Sequence, residues 1–430
     1  MSSRRYRYPI LIALAAVCLS GCDSGGGSGR TQIRLMNVSP GYTSLDLYAN
    51  TGDSDTDQQR ISGVAYDTVS SYTELGSGTY SVKFKRSGIT STLQTVSGSQ
   101  LADDTHHTFV AFGSTGHFAS IQASDDLAAP DNGRVKVQVL NVAEAGSLDM
   151  YLTESSVSLD DATPVVAGLG PGAASSVATI DSGDYRLRVT GASDSDDLRL
   201  DVPTIALSSR QVASLILTAT QGGVLVDASL LPQQGSLTKF ANTKARIRGA
   251  VGTTSGPVVM RVSGVSVLNG AVGVVGNYAQ VEAGSVAVTL AVNGVAAAVP
   301  NQTLVAGGDY TLLAWSNAEG TQTTLVGDDN RLPTASGKAK IRVLNGLSTL
   351  SAPVTLAVNF APIAEGIALG QASAFTEIDD GSDYQLDVTD TDTATNLLTR
   401  TSVTLEAGSI YTLFMSANGA TVSGTLRKDR

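Results

Sequence analysis

An all-β chain of tandem Ig-like antiparallel β-sandwiches is what this sequence predicts, on three observations. Apolar residues recur with a period of two, a strand signature recurs about every hundred residues, and no long capped amphipathic pattern follows residue 30. Val135, Val137 and Val139 alternate with Lys136 and Gln138, and Ala339, Ile341 and Val343 alternate with Lys338, Lys340 and Arg342. Strands buried on one face require that alternation. A repeat of this length is too long for a solenoid and suits whole domains in tandem.

The first landmark appears four times: Ile33-Arg34-Leu35-Met36-Asn37, Val137-Gln138-Val139-Leu140-Asn141, Ala245-Arg246-Ile247-Arg248-Gly249 and Ile341-Arg342-Val343-Leu344-Asn345. A second landmark keeps the register: Leu45-Asp46-Leu47-Tyr48, Leu148-Asp149-Met150-Tyr151 and the looser Val354-Thr355-Leu356. The third is Gly78-Thr79-Tyr80-Ser81-Val82, Gly183-Asp184-Tyr185-Arg186-Leu187, Gly284-Ser285-Val286-Ala287-Val288 and Ser382-Asp383-Tyr384-Gln385-Leu386. Each copy closes on an apolar hairpin; in the last, Asn418-Gly419 predicts a type I′ turn. These landmarks place repeats at 31–129, 132–236, 240–334 and 337–430, the third the most diverged because Gly249 to Gly276 is rich in glycine.

Ahead of the repeats, Arg4, Arg5 and Arg7 precede an apolar stretch from Ile10 to Leu19, too short to span a bilayer, and then Ser20-Gly21-Cys22. This resembles a bacterial lipoprotein signal. The resemblance implies a signal peptide at 1–21, acylation of Cys22 and a lipid anchor in the inner or outer membrane of a Gram-negative cell. Residues 22–30 then form the acylated cysteine and a Gly/Ser tether. Acyl chains bound to the cysteine add about 0.8 kcal/mol per buried CH₂, so several of them anchor firmly.

Composition narrows the function. The 430 residues carry a formal net charge of −11, and loss of 1–21 removes three arginines and no acidic residue. A chain this acidic repels phosphate backbones, so nucleic acid is excluded as a partner. The two cysteines are Cys18 and Cys22, which leaves no thiolate or disulfide beyond the anchor. Aromatic residues make up 5%, sparse for a protein that stacks sugars or bases.

Catalytic constellations are missing from the sequence. There is no Gly-x-Ser-x-Gly elbow, no histidine outside the first repeat, and Gly168-Leu169-Gly170-Pro171-Gly172 lacks the Lys-Ser/Thr of a phosphate loop. His106, His107 and His117 offer three ligands at most, and neighbours in a strand point to opposite faces. Asp53-Ser54-Asp55-Thr56-Asp57 starts like a calcium loop, but Gln58 and Val64 stand where an EF-hand needs glycine and glutamate. Asp194, Asp196 and Asp197 in the second repeat recur in place as Asp387, Asp390 and Asp392 in the fourth, a calcium alternative to solvated turns. Trp315, Tyr310 and Tyr278 could build one small aromatic platform.

The three landmarks together resemble the bacterial exported family named domain of unknown function 4397, well in the first two copies, fairly in the fourth and weakly in the third. The resemblance implies exported Ig-like sandwiches, often in tandem and often on lipoproteins, without an established activity or residues to transfer. The expectation is a non-enzymatic, cofactor-free envelope protein, held at the membrane by its lipid. Its sandwiches would stand in line as a structural or adhesive stalk meeting envelope proteins, the alternative being a module that binds envelope polysaccharide.

Overall fold

The computed structural model describes residues 29–51, 56–350 and 352–430. Its strands sort into four sandwiches, and no helix occurs among the described residues. In the first module one sheet is built on Arg30–Asn37 and Thr105–Phe112, and the facing sheet on Ser44–Thr51 and Gly78–Arg86. The same plan returns on Arg134–Val142, Lys244–Gly252 and Lys338–Gly346. Each module has its own apolar core between its two sheets. Pairing is antiparallel except at one place: the first strand of every module lies parallel to its penultimate long strand, as Leu35 opposite Phe109 and Val343 opposite Leu413.

The landmarks prove to be internal fasteners. Asn37, Asn141 and Asn345 are fully buried. Asn345 Nδ2 donates to the carbonyls of Ala352 and Ile367, both at 2.9 Å, and its Oδ1 accepts from Leu347 N at 3.0 Å. Asn37 and Asn141 do the same, so one side chain ties the first strand to both sheets' loops. Asp46 and Asp149 accept the Gly63 and Gly168 amides at 2.7 and 2.6 Å. Tyr80, Tyr185 and Tyr384 donate their hydroxyls back to the carbonyls of Gly76, Asp181 and Asp379, making tyrosine corners.

Two expectations shift. In the third module Arg248, not Arg246, stands opposite the penultimate strand's threonine, Thr311, as Arg34 stands opposite Thr108. The copy is therefore displaced by two residues from the sequence alignment, which a period of two conceals because both registers keep the same face inward. At the last hairpin Asn418 pairs with Thr421, so the turn is Gly419-Ala420 with only Gly419 left-handed, φ 62°. That matches a glycine-first type II′ turn rather than I′.

The modules also do not stand in line. The outer faces of the first-strand sheets are apolar too, and they pack in pairs. Met36, Val110 and Phe112 meet Leu140, Ile216 and Leu231 between modules one and two. Ala250 and Leu313 meet Leu344 and Phe414 between modules three and four, with Trp315 at the edge. Within each pair the modules point the same way: Gly252 and Gly346, at the ends of their first strands, are in contact, as are Lys239 and Asp67 in the other pair. The pairs stack end to end. Thr220 and Gly222, beyond the strand Val212–Ala219, meet Gly307 at the base of module three, and Gly116 meets Thr334 at the base of module four. The result is two tiers of two sandwiches, joined at a waist.

Candidate functional site

A network of buried charge lies in the seam between modules three and four and in the waist below it. Arg248 and Arg342 project from the middle of the strands Lys244–Gly252 and Lys338–Gly346, each opposite a threonine on the parallel neighbour. Arg248 Nε donates to Thr311 Oγ1 at 2.9 Å and Arg342 Nε to Thr412 Oγ1 at 3.0 Å. Their remaining nitrogens cross the seam: Arg248 Nη1 reaches Asp429 of module four at 2.6 Å, while Arg342 Nη2 reaches Asp328 of module three. The pairing is reciprocal, and all four side chains are essentially inaccessible.

Aromatic faces cover the guanidiniums. Arg248 lies 4.5 Å from the Tyr278 ring centroid and Arg342 lies 4.4 Å from that of Phe375. Tyr278 donates its hydroxyl to Asp328 at 2.6 Å, and Thr311 donates to the same oxygen at 2.7 Å. Burial opposes ionisation of Asp328, but Arg342 and then Arg248 outweigh it, and its carboxyl lies below the usual aspartate value. Burial, followed by Asp328, pushes the Tyr278 hydroxyl well up, so it remains a donor.

The other seam is a one-sided version. Arg34 Nε donates to Thr108 Oγ1 at 2.7 Å, pairs with Asp125 at 3.4 Å, and reaches Pro232 O of module two at 3.2 Å. Module two has Gln138 and Ser214 at the equivalent positions and returns no charge.

At the waist, a cleft of about 710 Å³ lies between the top of module one and the base of module four, bordered by Pro40, Thr115, Arg331, Lys340, Phe375 and Glu377. Its charges are already engaged. Lys340 Nζ donates to the carbonyls of Asp329 and Arg331 at 2.8 and 2.9 Å, and Glu377 accepts from Thr334 N at 2.6 Å. Burial lowers the Lys340 pKa from its ordinary value.

The residues singled out in the sequence are scattered. Asp194 Oδ1 accepts the amides of Asp196 and Asp197, Asp197 pairs with Arg199, and Asp390 Oδ1 accepts the amides of Asp392 and Thr393. Asp387 is buried in its strand and accepts from Thr399 at 2.6 Å. These are turn and strand fasteners, and among the described residues no three His, Cys, Asp or Glu side chains are grouped so as to hold a metal ion. Asp57 is held by Lys83 and Lys85, whose hydrogen bonds bring its carboxyl down to about 2. Asp53, Asp55 and Cys22 lie outside the described residues. His106 pairs with Asp126, His107 bonds Thr105, and His117 sits at the waist.

No aromatic platform forms. Tyr310 faces the core of module three, Trp315 lies on the seam face of the same strand, and Tyr278 is buried under Arg248. What the sequence reading missed was the arginines. The signal was visible: a cation at the same register in three of the four first strands, each at a position where the strand is buried on both faces.

The model of the family described as Domain of unknown function (DUF4397) matches residues 31–151, 253–351 and 347–430. No curated protein matches the chain. Among solved structures, a carbohydrate-binding module of family CBM26 from Eubacterium rectale Amy13K, in complex with maltoheptaose, aligns at 11% identity over 47% of this chain and 97% of its own, with a TM-score of 0.16. The Bacillus anthracis TIE protein aligns at 11% identity over 91% of this chain and 69% of its own, with a TM-score of 0.15. Scores this low carry no argument about ligand or fold.

Proposed function

From a chain that belongs to the family Domain of unknown function (DUF4397), most of whose length the family covers in tandem segments, we propose a lipid-anchored envelope protein with a structural or adhesive role. Cys22 carries the lipid, in the inner or outer membrane of a Gram-negative cell. The two-tier body meets other envelope proteins and performs no catalysis. One observation carries this reading: four of the most deeply buried ionisable groups, Arg248, Arg342, Asp328 and Asp429, are spent on locking sandwiches to one another. Charges that neutralise one another inside a seam are already engaged, and removing either partner is costly. Tiered pairs with apolar seams resist bending better than beads on a string, which suits a load-bearing or ligand-presenting body.

The test is metabolic labelling of the full chain with radiolabelled palmitate, followed by membrane fractionation, beside Cys22→Ser. Label and membrane partition that are both lost in the variant support the anchor. Absence of label in the native chain, or an equally membrane-bound variant, overturns it. The waist cleft keeps polysaccharide as a second reading, because its size falls within that of ordinary small-ligand sites. A glycan array that lights up with the native chain and goes dark with the cleft-filling Thr115→Trp would favour it.

A further inference from the structure

We propose that the waist is a one-sided hinge, bolted where module two meets module three and free to open and close the cleft between modules one and four. The two sides of the waist are built differently although the tiers stack in parallel. On the bolted side the chain itself crosses, from Phe240 to Lys244, and the buried Asn242 clamps the crossing. Its Nδ2 donates to Arg199 O at 2.7 Å and Val226 O at 3.1 Å, its N–H to Asp227 at 2.7 Å, and its Oδ1 accepts from Lys244 N at 2.9 Å.

Backbone meets backbone beside this crossing. Gly222 N donates to Gly307 O at 2.9 Å and Asn330 N to Gly222 O at 3.1 Å. The approach is possible only because side chains are missing: a Cβ on Gly222 would lie 2.6 Å from Gly307 O, and one on the left-handed Gly223 (φ 90°) 2.5 Å from Arg331 N. Arg430 closes the bolt. Its guanidinium donates to the carbonyls of Gly223 at 2.8 Å and Asn330 at 2.9 Å, and to that of Glu144.

On the other side, among the described residues, no hydrogen bond joins module one to module four. Gly116 touches Thr334, and Glu144 of module two faces the Ser114 amide and His117. The rest is the 710 Å³ cleft. A joint with a covalent crossing and a backbone ladder on one edge, and an open cleft on the other, has one soft rotation, about the bolted edge.

Pulsed electron spin resonance can read that rotation directly, because beyond Cys22 the chain has no cysteine. In the full chain with Cys18→Ser and Cys22→Ser, spin labels at the exposed pair Thr90→Cys and Thr404→Cys report across the cleft; the exposed pair Asp196→Cys, at the waist end of module two, and Thr289→Cys reports across the bolt. Collective hinge motion frozen from solution should make the cleft distribution about twice as wide as the bolt distribution. Arg430→Ala should widen the bolt distribution while leaving circular dichroism unchanged. Two equally narrow distributions overturn the hinge, and a bolt distribution indifferent to Arg430→Ala overturns the part given to that residue.

Discussion

Replacing Asp328 by alanine should unlock the seam between modules three and four without unfolding the modules one and two. The carboxylate is fully buried and is the cross-seam partner of Arg342, the 3.9 Å neighbour of Arg248, and the acceptor for Tyr278 and Thr311. Removing one partner of a buried ion pair costs about 3 to 5 kcal/mol, because the other is left charged and unsolvated. The two hydroxyls that lose an acceptor add to this, but they share the same network and do not sum, so about 4 kcal/mol is expected. Trp315 is the only tryptophan and lies in this seam, its ring against Gly370 of module four. Urea titration followed by its fluorescence therefore reports the seam, while far-ultraviolet circular dichroism reports the sheets. With a slope of about 2 kcal/mol per molar, the fluorescence midpoint should fall by about 2 M. Adding Arg342→Met should recover a large part of the loss, since it removes the orphaned charge. A fall of under about 1 kcal/mol would mean that water reaches the arginines and that the reciprocal pairs hold nothing together. The pH dependence has a definite sign: because the folded carboxyl lies below its ordinary 3.8, its contribution is present at neutral pH and is lost only as the pH falls through that lowered value.

Four further outcomes are expected. Phe360 is 77% exposed and left-handed, φ 67°, where the matching hairpin of module three has Gly264, so Phe360→Gly should stabilise the chain by about 1 kcal/mol in thermal unfolding. Asn345→Ala strands two carbonyls and one amide, and should cost module four about 3 kcal/mol in chemical denaturation. Calcium at about 10 mM should leave the melting temperature unmoved, since Asp194, Asp197, Asp390 and Asp387 already serve turn amides, Arg199 and Thr399; a rise abolished by Asp390→Asn would revive the ion site. Glu144 is pushed up by burial, against His117, the Ser114 amide, Arg430 and Arg331, so its favourable share is present at low pH and lost as the pH rises through the raised value. Glu144→Gln should therefore raise the melting temperature near pH 8 and leave it unchanged near pH 4, as scanning calorimetry at about those two values would show.

The strands and the repeating Tyr, Asn and Asp positions were legible because each is a local pattern: a period of two, or a polar residue at one place in an apolar run. The third copy was misaligned because Gly249 and Val251 occupy the places held elsewhere by Leu35 or Val343 and by Asn37 or Asn345, leaving no polar landmark to set the register. Module pairing is not local, so the straight stalk was the wrong geometry. Its trace was nonetheless present, since Met36, Leu140 and Leu344 sit on the face opposite the core of strands whose other face is apolar as well. Such two-sided strands need cover on both faces. The Asp-rich turns misled because the carboxylates that solvate and cap turns are the ones a calcium loop would use.

Small-angle X-ray scattering of the full chain with Cys22→Ser tests the two-tier arrangement most directly. Strands of eight to ten residues make each sandwich roughly 30 Å long, so four in line would give a rod with a radius of gyration of at least about 35 Å. Two tiers of paired sandwiches predict a compact particle of roughly 22 to 26 Å, close to that of a globular chain of this length. A value near the rod limit, with a cross-section one sandwich wide, would contradict the seams and everything built on them.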